Sequence, residues 1–357
     1  MKRRKFLKSI GGSVALSSIL LSTANSTPQK TEYKWKMVTS WPKNFPGLGV
    51  GAENLAKLIT KLSNNRIKVR VFGANELVPP LEVFDFVSNG GAEIGHSGAY
   101  YWKGKSPACQ FFSSVPFGMN SQEMNAWLYY GDGIKLWEKL YSKFNLIPRP
   151  AGNTGVQMGG WFNKKIKSVD DLKGLKMRIP GLGGEVLARA GGVPVTLAGA
   201  EIFTALQTGV IDATEWVGPY NDRAFGLHKA AKYYYFPGWH EPGPTIESII
   251  NKDAYNKLPE DLRLIIDVSC KAANIDMLSD YTAKNNLALQ FLKSKNIEIL
   301  SFPNEVLAKL KSLSREILKE ISQKDTITKE VYDSYMTFNK SVTPWTEISD
   351  KAYLNIK

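Results

Sequence analysis

Five polar side chains carry the chemistry this sequence can do: Asn153, Gln157, Arg178, Glu215 and Glu241. Aromatic residues stand with them, Tyr100, Tyr101 and Trp102 in one run and Trp216 directly after Glu215. An arginine offers a carboxylate a planar, two-pronged donor. Arg178 ends a short strand, and the helix start that follows it also favours an anion. Glu215 closes the apolar stretch Val210-Ile211-Asp212-Ala213, where a carboxylate needs a cation or a hydrogen-bond donor. Glu241 lies in the stiff segment Trp239-His240-Glu241-Pro242-Gly243. With Gln157, the two glutamates make an all-oxygen set suited to a hard cation. Taken singly, each glutamate is as readily a surface charge, and Arg178 a structural ion-paired residue. Together they suit a small carboxylate ligand.

Other chemistries lack their residues. No nucleophile triad and no Gly-x-Ser-x-Gly occurs, and Glu215 and Glu241 qualify as a glycosidase pair by type only. Gly181, Gly183 and Gly184 resemble a dinucleotide fingerprint, but Val186 occupies the third glycine position. The three histidines, His96, His228 and His240, are widely spaced and no Cys-x-x-Cys occurs, which argues against zinc. Cys109 and Cys270 are one pair in a long chain, too few for a disulfide scaffold.

Two similar units must position these groups. Glu82-Val83-Phe84 is followed by Gly90 and Glu93; 119 residues later Glu201-Ile202-Phe203 is followed by Gly209 and Asp212. Each reads as a helix closed by a glycine, then a short strand. The first strand leads into Gly95 to Trp102, the second into Thr214 to Tyr220. Strand-end loops of α/β sheets are where ligands bind, so two such halves predict a cleft. Around them the pattern predicts strands at 34–38, 67–71, 153–162, 175–180 and 297–300. Helices are expected at 49–63, from Pro80, at 121–145 with a loop, to about Ala190, within 258–295, and from Pro303 onward. In the last of these Val306, Leu310, Leu313, Ile317 and Ile321 form one apolar stripe.

The first 26 residues read as an address. Lys2 to Lys8 holds a twin arginine, an apolar stretch runs from Ile10 to Leu21, and small residues follow. That stretch is too short to span a bilayer and reads as a secretory signal of Tat type. Its removal lowers the net charge from +13 to +8. The lysines are scattered, which argues against nucleic acid.

The stretches Trp41-Pro42, Gly95 to Trp102, Gly152 to Trp161, Leu172 to Arg178, Ala213 to Trp216 and Gly226 to Gly243 resemble the solute-receptor subunits of TRAP transporters. The Glu215-Trp216 pair and the segment Gly238 to Gly243 resemble the branch that binds 2-oxo acids and lactate with a metal ion. The resemblance implies an α/β, two-lobed periplasmic binding protein with hinge strands and a long C-terminal helix. It implies no enzyme. Arg178 would clamp the carboxylate, Asn153, Tyr100 and Tyr101 would bond its oxygens, and Trp216 would lie against it. Gln157, Glu215, Glu241 and the Trp216 carbonyl would hold Na+ or Ca2+. Partners would be TRAP membrane permease subunits and a second copy of the chain, met through the C-terminal helices.

The expected layout follows: signal 1–26, lobe I 27–151 with 242–300 returning to it, lobe II 152–241 with part of 301–325, and a helical tail 326–357. Charge counting bears on the ion. Two glutamates and a monocarboxylate carry three negative charges against one positive on Arg178, so sodium leaves one uncompensated and calcium none. A C4-dicarboxylate or sugar acid in the same fold, and a metal-dependent periplasmic enzyme, are the competing readings.

Overall fold

The structure, a computed structural model, describes residues 33–357, and the expected signal segment lies outside them. Strands β1 (Tyr33–Thr39), β2 (Ile67–Phe72), β3 (Ile94–Ser97) and β4 (Leu146–Asn153) belong to one sheet. Strands β5 (Gly160–Phe162), β6 (Lys176–Arg178), β7 (Val193–Val195), β8 (Ala213–Thr214) and β9 (Tyr233–Phe236) belong to another. The chain then returns to the first sheet with β10 (Thr245–Asn251) and to the second with β11 (Glu298–Ser301). The orders are β2-β1-β3-β10-β4 and β11-β9-β5-β8-β6-β7.

The opening is the expected β-α-β unit: β1 pairs with β2 in parallel, connected by the helix Leu48–Leu62. The repeated unit is structural too. The helices Val83–Ser88 and Gly199–Gln207 are followed by Gly90 and Gly209, both with positive φ, at 77° and 74°. A residue with a Cβ adopts that conformation at a cost, which glycine avoids. Both units then place an acid over the neighbouring parallel strand. Glu93 Oε2 accepts from Lys36 N at 2.7 Å, and Asp212 Oδ2 from Lys176 N at 2.9 Å.

The expected strand at 153–162 is two strands with a crossing between them. β4 ends at Asn153, and β5 begins at Gly160, whose φ is 116°. Gly155 turns at φ 73°, and its N–H goes to Asn153 Oδ1 at 2.8 Å, so the backbone leaves the ladder. The segment 154–159 therefore carries the chain from one sheet to the other. A second crossing, 237–244, lies beside it: Gln157 N donates to Glu241 O at 3.2 Å and Thr154 N to Pro244 O at 3.3 Å. Residues 121–145 form two helices, Ser121–Tyr130 and Gly133–Tyr141, rather than one. Pro80 lies in a turn ahead of its helix, which begins at Val83.

One helix, Glu260–Lys293, spans 34 residues, about 50 Å at 1.5 Å per residue. Pro259 precedes it, acids occupy its first turn and Lys293 its last, which suits the helix dipole. It serves two cores. Leu262, Ile266 and Cys270 pack with Met37, Leu55 and Ile67 of the first lobe. Met277, Tyr281 and Leu292 pack with Trp161, Ile211 and Trp216 of the second. Each such fully buried aliphatic side chain contributes about 1.5–3 kcal/mol.

The stripe Val306, Leu310, Leu313, Ile317 and Ile321 is buried in the helix Asn304–Ile321. The helix Thr326–Thr346, capped by Asp325, buries Val331 and Tyr335 and then runs out to Ile356. Cys109 and Cys270 are both buried and free. Among the described residues no helix is long and apolar enough to cross a membrane.

Candidate ligand and cation site between the lobes

Arg178 and Glu215 are neighbours because of strand register. Arg178 pairs with Thr214 across parallel β6 and β8, and Glu215 N donates to Arg178 O at 3.2 Å. Both side chains therefore leave the carboxyl ends of adjacent strands, and Arg178 Nη1 forms an ion pair with Glu215 Oε1. Arg178 is 1 % exposed. Its Nε donates to Leu197 O at 3.3 Å, its Nη2 to Tyr101 Oη at 3.2 Å, and its guanidinium carbon lies 4.9 Å from the Trp216 ring centre. Burial disfavours its charge, but Glu215 and the adjacent phenols outweigh that and hold it protonated.

Glu241 arrives from the second crossing and Gln157 from the first. Glu215, His240 and Glu241 bring ligand atoms within 4.8 Å of one another. Burial, then the neighbouring Glu215 charge, push the Glu241 carboxyl well above the usual range, against the pull of Arg178. Gln157 Nε2 is engaged by Thr154 Oγ1 at 3.1 Å, while Gln157 Oε1 and Glu241 Oε2 are buried without a partner. Orphaned buried oxygens beside a second carboxylate are costly as they stand and match what a hard cation requires. The donor set thus fits an ion such as calcium or sodium.

Asn153 is fully buried and already engaged at the crossing: Oδ1 accepts from Gly155 N, and Nδ2 donates to Gly243 O at 3.1 Å. One amide proton is left over. Tyr100 and Tyr101 stand edge to face, 4.6 Å between ring centres, on the short turn Ala99–Trp102 of the first lobe. Burial raises both phenols' pKa, and Glu241 raises that of Tyr100 further. Trp216 presents a buried Nε1 without a partner.

Trp102, grouped with the tyrosines in the sequence, turns away into the first lobe. Its Nε1 donates to Glu247 Oε1 at 2.5 Å, and its ring packs on Phe84. Two further residues at the site were given no role there by the sequence. His240 Nε2 lies 3.4 Å from Glu215 Oε2, and Trp41 packs edge-on to Trp216 at 6.2 Å. His240 had a local signal, its place beside Glu241. Trp41 stood only in the family-like pair Trp41-Pro42, and its place at the site comes from the folding of the loop after β1.

Arg178 beside these carboxylate and amide oxygens offers a fork suited to an anion and oxygens suited to a hard cation. The pattern of the bacterial extracellular solute-binding proteins, family 7, matches residues 37–325. The chain belongs to that family. A Nostoc sp. protein named a monocarboxylate 2-oxoacid-binding periplasmic protein is 44 % identical over 99 % of this chain and 98 % of its own length. A TRAP periplasmic solute-binding protein from Pseudoalteromonas atlantica, solved with sodium and pyruvate, is 44 % identical, with a TM-score of 0.88 over 91 % of this chain and 99 % of that one. One from Colwellia psychrerythraea, solved with calcium and pyruvate, is 44 % identical, with a TM-score of 0.89 over 91 % of this chain and 100 % of that one. A Bordetella bronchiseptica TRAP solute-binding protein, a dimer with calcium and picolinate, is 37 % identical, with a TM-score of 0.90 over 92 % of this chain and 97 % of that one. This family 7 receptor thus has the two-lobed α/β fold with the long helix that its sequence led us to expect.

Proposed function

We propose that this receptor captures a small 2-oxo or 2-hydroxy monocarboxylate of the pyruvate or lactate kind, together with calcium or sodium, and hands it to a TRAP permease in the membrane without chemical turnover. The observation that carries the reading is the convergence of Arg178, Tyr101, Glu215, Glu241 and Gln157 on one buried spot. Arg178 grips the carboxylate, with Tyr100, Tyr101, Asn153 and the Trp216 face around it. Gln157, Glu215, Glu241 and the Trp216 carbonyl hold the cation. The cation supplies positive charge that neutralises two glutamates and draws a ligand oxygen. Closing the lobes removes water and strengthens each of these interactions.

A monocarboxylate is favoured over a dicarboxylate by one further observation. Among the described residues Arg178 is the only fully buried arginine or lysine. A second carboxylate in the closed site would lack a counter-charge of its own.

The reading places the mature chain in the periplasm after Tat export, with 27–151 and the first part of 242–300 serving lobe I, while the second half of the long helix and β11, expected in lobe I, pack with 152–241 and part of 301–325 in lobe II. The tail 326–357 is proposed as a contact between two copies. Trp345, Ile348, Tyr353, Leu354 and Ile356 are exposed along it, an apolar run that a solitary chain would leave in water.

Calorimetry with pyruvate and lactate, in calcium, in sodium and in chelator, tests the function, and Arg178→Lys tests the clamp. Lysine keeps the charge beside Glu215 but loses the fork, so capture should weaken at least tenfold. Pyruvate affinity unchanged in the variant would end the assignment of Arg178, and formation of a product would end the receptor reading.

A further inference from the structure

The lobes also meet at a junction of three elements: the loop between β1 and Leu48–Leu62, the second-lobe helix Pro219–Phe225, and the middle of the long helix. Asn221, fully buried, sits at its centre. Its Oδ1 accepts from Tyr281 Oη at 2.7 Å, and its Nδ2 donates to Pro46 O at 2.9 Å. The amide orientation is fixed by chemistry, because the Pro46 carbonyl can only accept. Phe45, next to Pro46, stacks on Phe225 with 4.2 Å between ring centres and also touches Trp216 edge-on at 6.3 Å. The junction tolerates no added bulk. Gly47 has φ 67°, and a Cβ there would lie 2.4 Å from the Tyr281 ring.

We infer that Asn221, oriented by Tyr281, is the latch of lobe closure: a positioning residue that sets how long the closed receptor holds its acid. This rests on the receptor reading above. Pro46 leads into the first-lobe helix Leu48–Leu62 and Asn221 lies in the second-lobe helix Pro219–Phe225, so a parting of the lobes that separates these two helices breaks their bond. In the parted state water takes both partners and the stack is lost. A bond made only in the closed form shifts the closed population, and apparent affinity follows that population. Through Phe45 the latch also presses on Trp216, whose backbone is part of the proposed cation cage.

The test compares wild type, Asn221→Ala and Tyr281→Phe. Pyruvate association and dissociation rates are measured by rapid mixing in calcium, alongside melting temperature and solution scattering without ligand. Asn221→Ala loses both hydrogen bonds, and loss of the one to Pro46, which bridges the lobes, should make it release pyruvate about five- to tenfold faster, with association nearly unchanged. Tyr281→Phe keeps the ring and the Pro46 bond and should show a smaller acceleration. A lowered melting temperature with wild-type release would overturn the latch, since the junction would then be a fixed pivot. If Asn221→Ala does not fold, wild-type release in Tyr281→Phe overturns it equally. Should the wild type bind no pyruvate, the ligand assignment fails instead. Scattering then decides the latch: a more extended Asn221→Ala supports it, and identical curves overturn it.

Discussion

Arg178 and Tyr101 meet across the cleft, the guanidinium Nη2 donating to the phenol oxygen at 3.2 Å. Arg178 ends β6 in the second sheet, and Tyr101 follows β3 in the first. The bond would therefore couple the proposed carboxylate clamp to closure. Tyr101→Phe removes the acceptor and keeps the ring. A hydrogen bond to a charged group contributes about 1.5 kcal/mol, so pyruvate should bind roughly tenfold more weakly. Isothermal titration checks this, and equal affinity would show that the bond is absent from the bound state.

The proposed cage would make acid and ion binding interdependent. Removing calcium and sodium should weaken pyruvate binding, and by linkage pyruvate should raise calcium affinity by the same factor. Glu241→Gln and Gln157→Ala should each reduce calcium affinity. Titrations of acid at several calcium concentrations decide it; flat dependence in wild type and variants would remove the ion from the site.

Glu247 predicts a pH dependence that does not involve the site. It is buried in the first lobe, accepting from Trp102 Nε1 at 2.5 Å and Tyr141 Oη at 2.9 Å. Burial raises its pKa to about 7, with the two donors pulling the other way. Its folded pKa thus lies above the unfolded value of about 4.3. The folded state binds the proton more tightly, so this contribution is full below the unfolded pKa and is lost as pH rises through about 7. The amount is on the order of 3 kcal/mol. Melting curves from pH 4.5 to 8 should show wild type losing stability relative to Glu247→Gln as pH rises. Parallel curves would contradict the raised pKa.

The exposed tail predicts an oligomer that can be broken from one helix. Trp345 is 67 % exposed and Ile348 74 % in the single chain. Trp345→Glu combined with Ile348→Glu should convert a dimer into a monomer by light scattering, with folding and ligand affinity little changed. A wild-type chain that is monomeric at all concentrations tested would dispose of the tail contact.

Local signals were enough for most elements. The alternation at 67–71, the helical spacing of Ala52, Leu55, Ala56 and Ile59, and the stripe from Val306 to Ile321 each encode one face against a core, and each recurs in the structure. The stretch 153–162 misled because Trp161 and Phe162 are truly in a strand, while glycines at 155 and 160 turn the backbone between two sheets. A crossing of that kind is a relation between sheets and leaves no period in the sequence.

The sequence by itself determined the residue types of the proposed site, an arginine, two glutamates and a glutamine beside aromatics, because residue type decides charge, donor geometry and hardness. It also determined the two repeated units, whose glycines answer a backbone requirement at one position. Only tertiary structure decided that Arg178 and Glu215 pair through strand register, that His240 and Trp41 join them, and that Trp102 turns away. Those facts depend on which strands lie side by side and on how loops from separate lobes close, distances that no spacing along the chain contains.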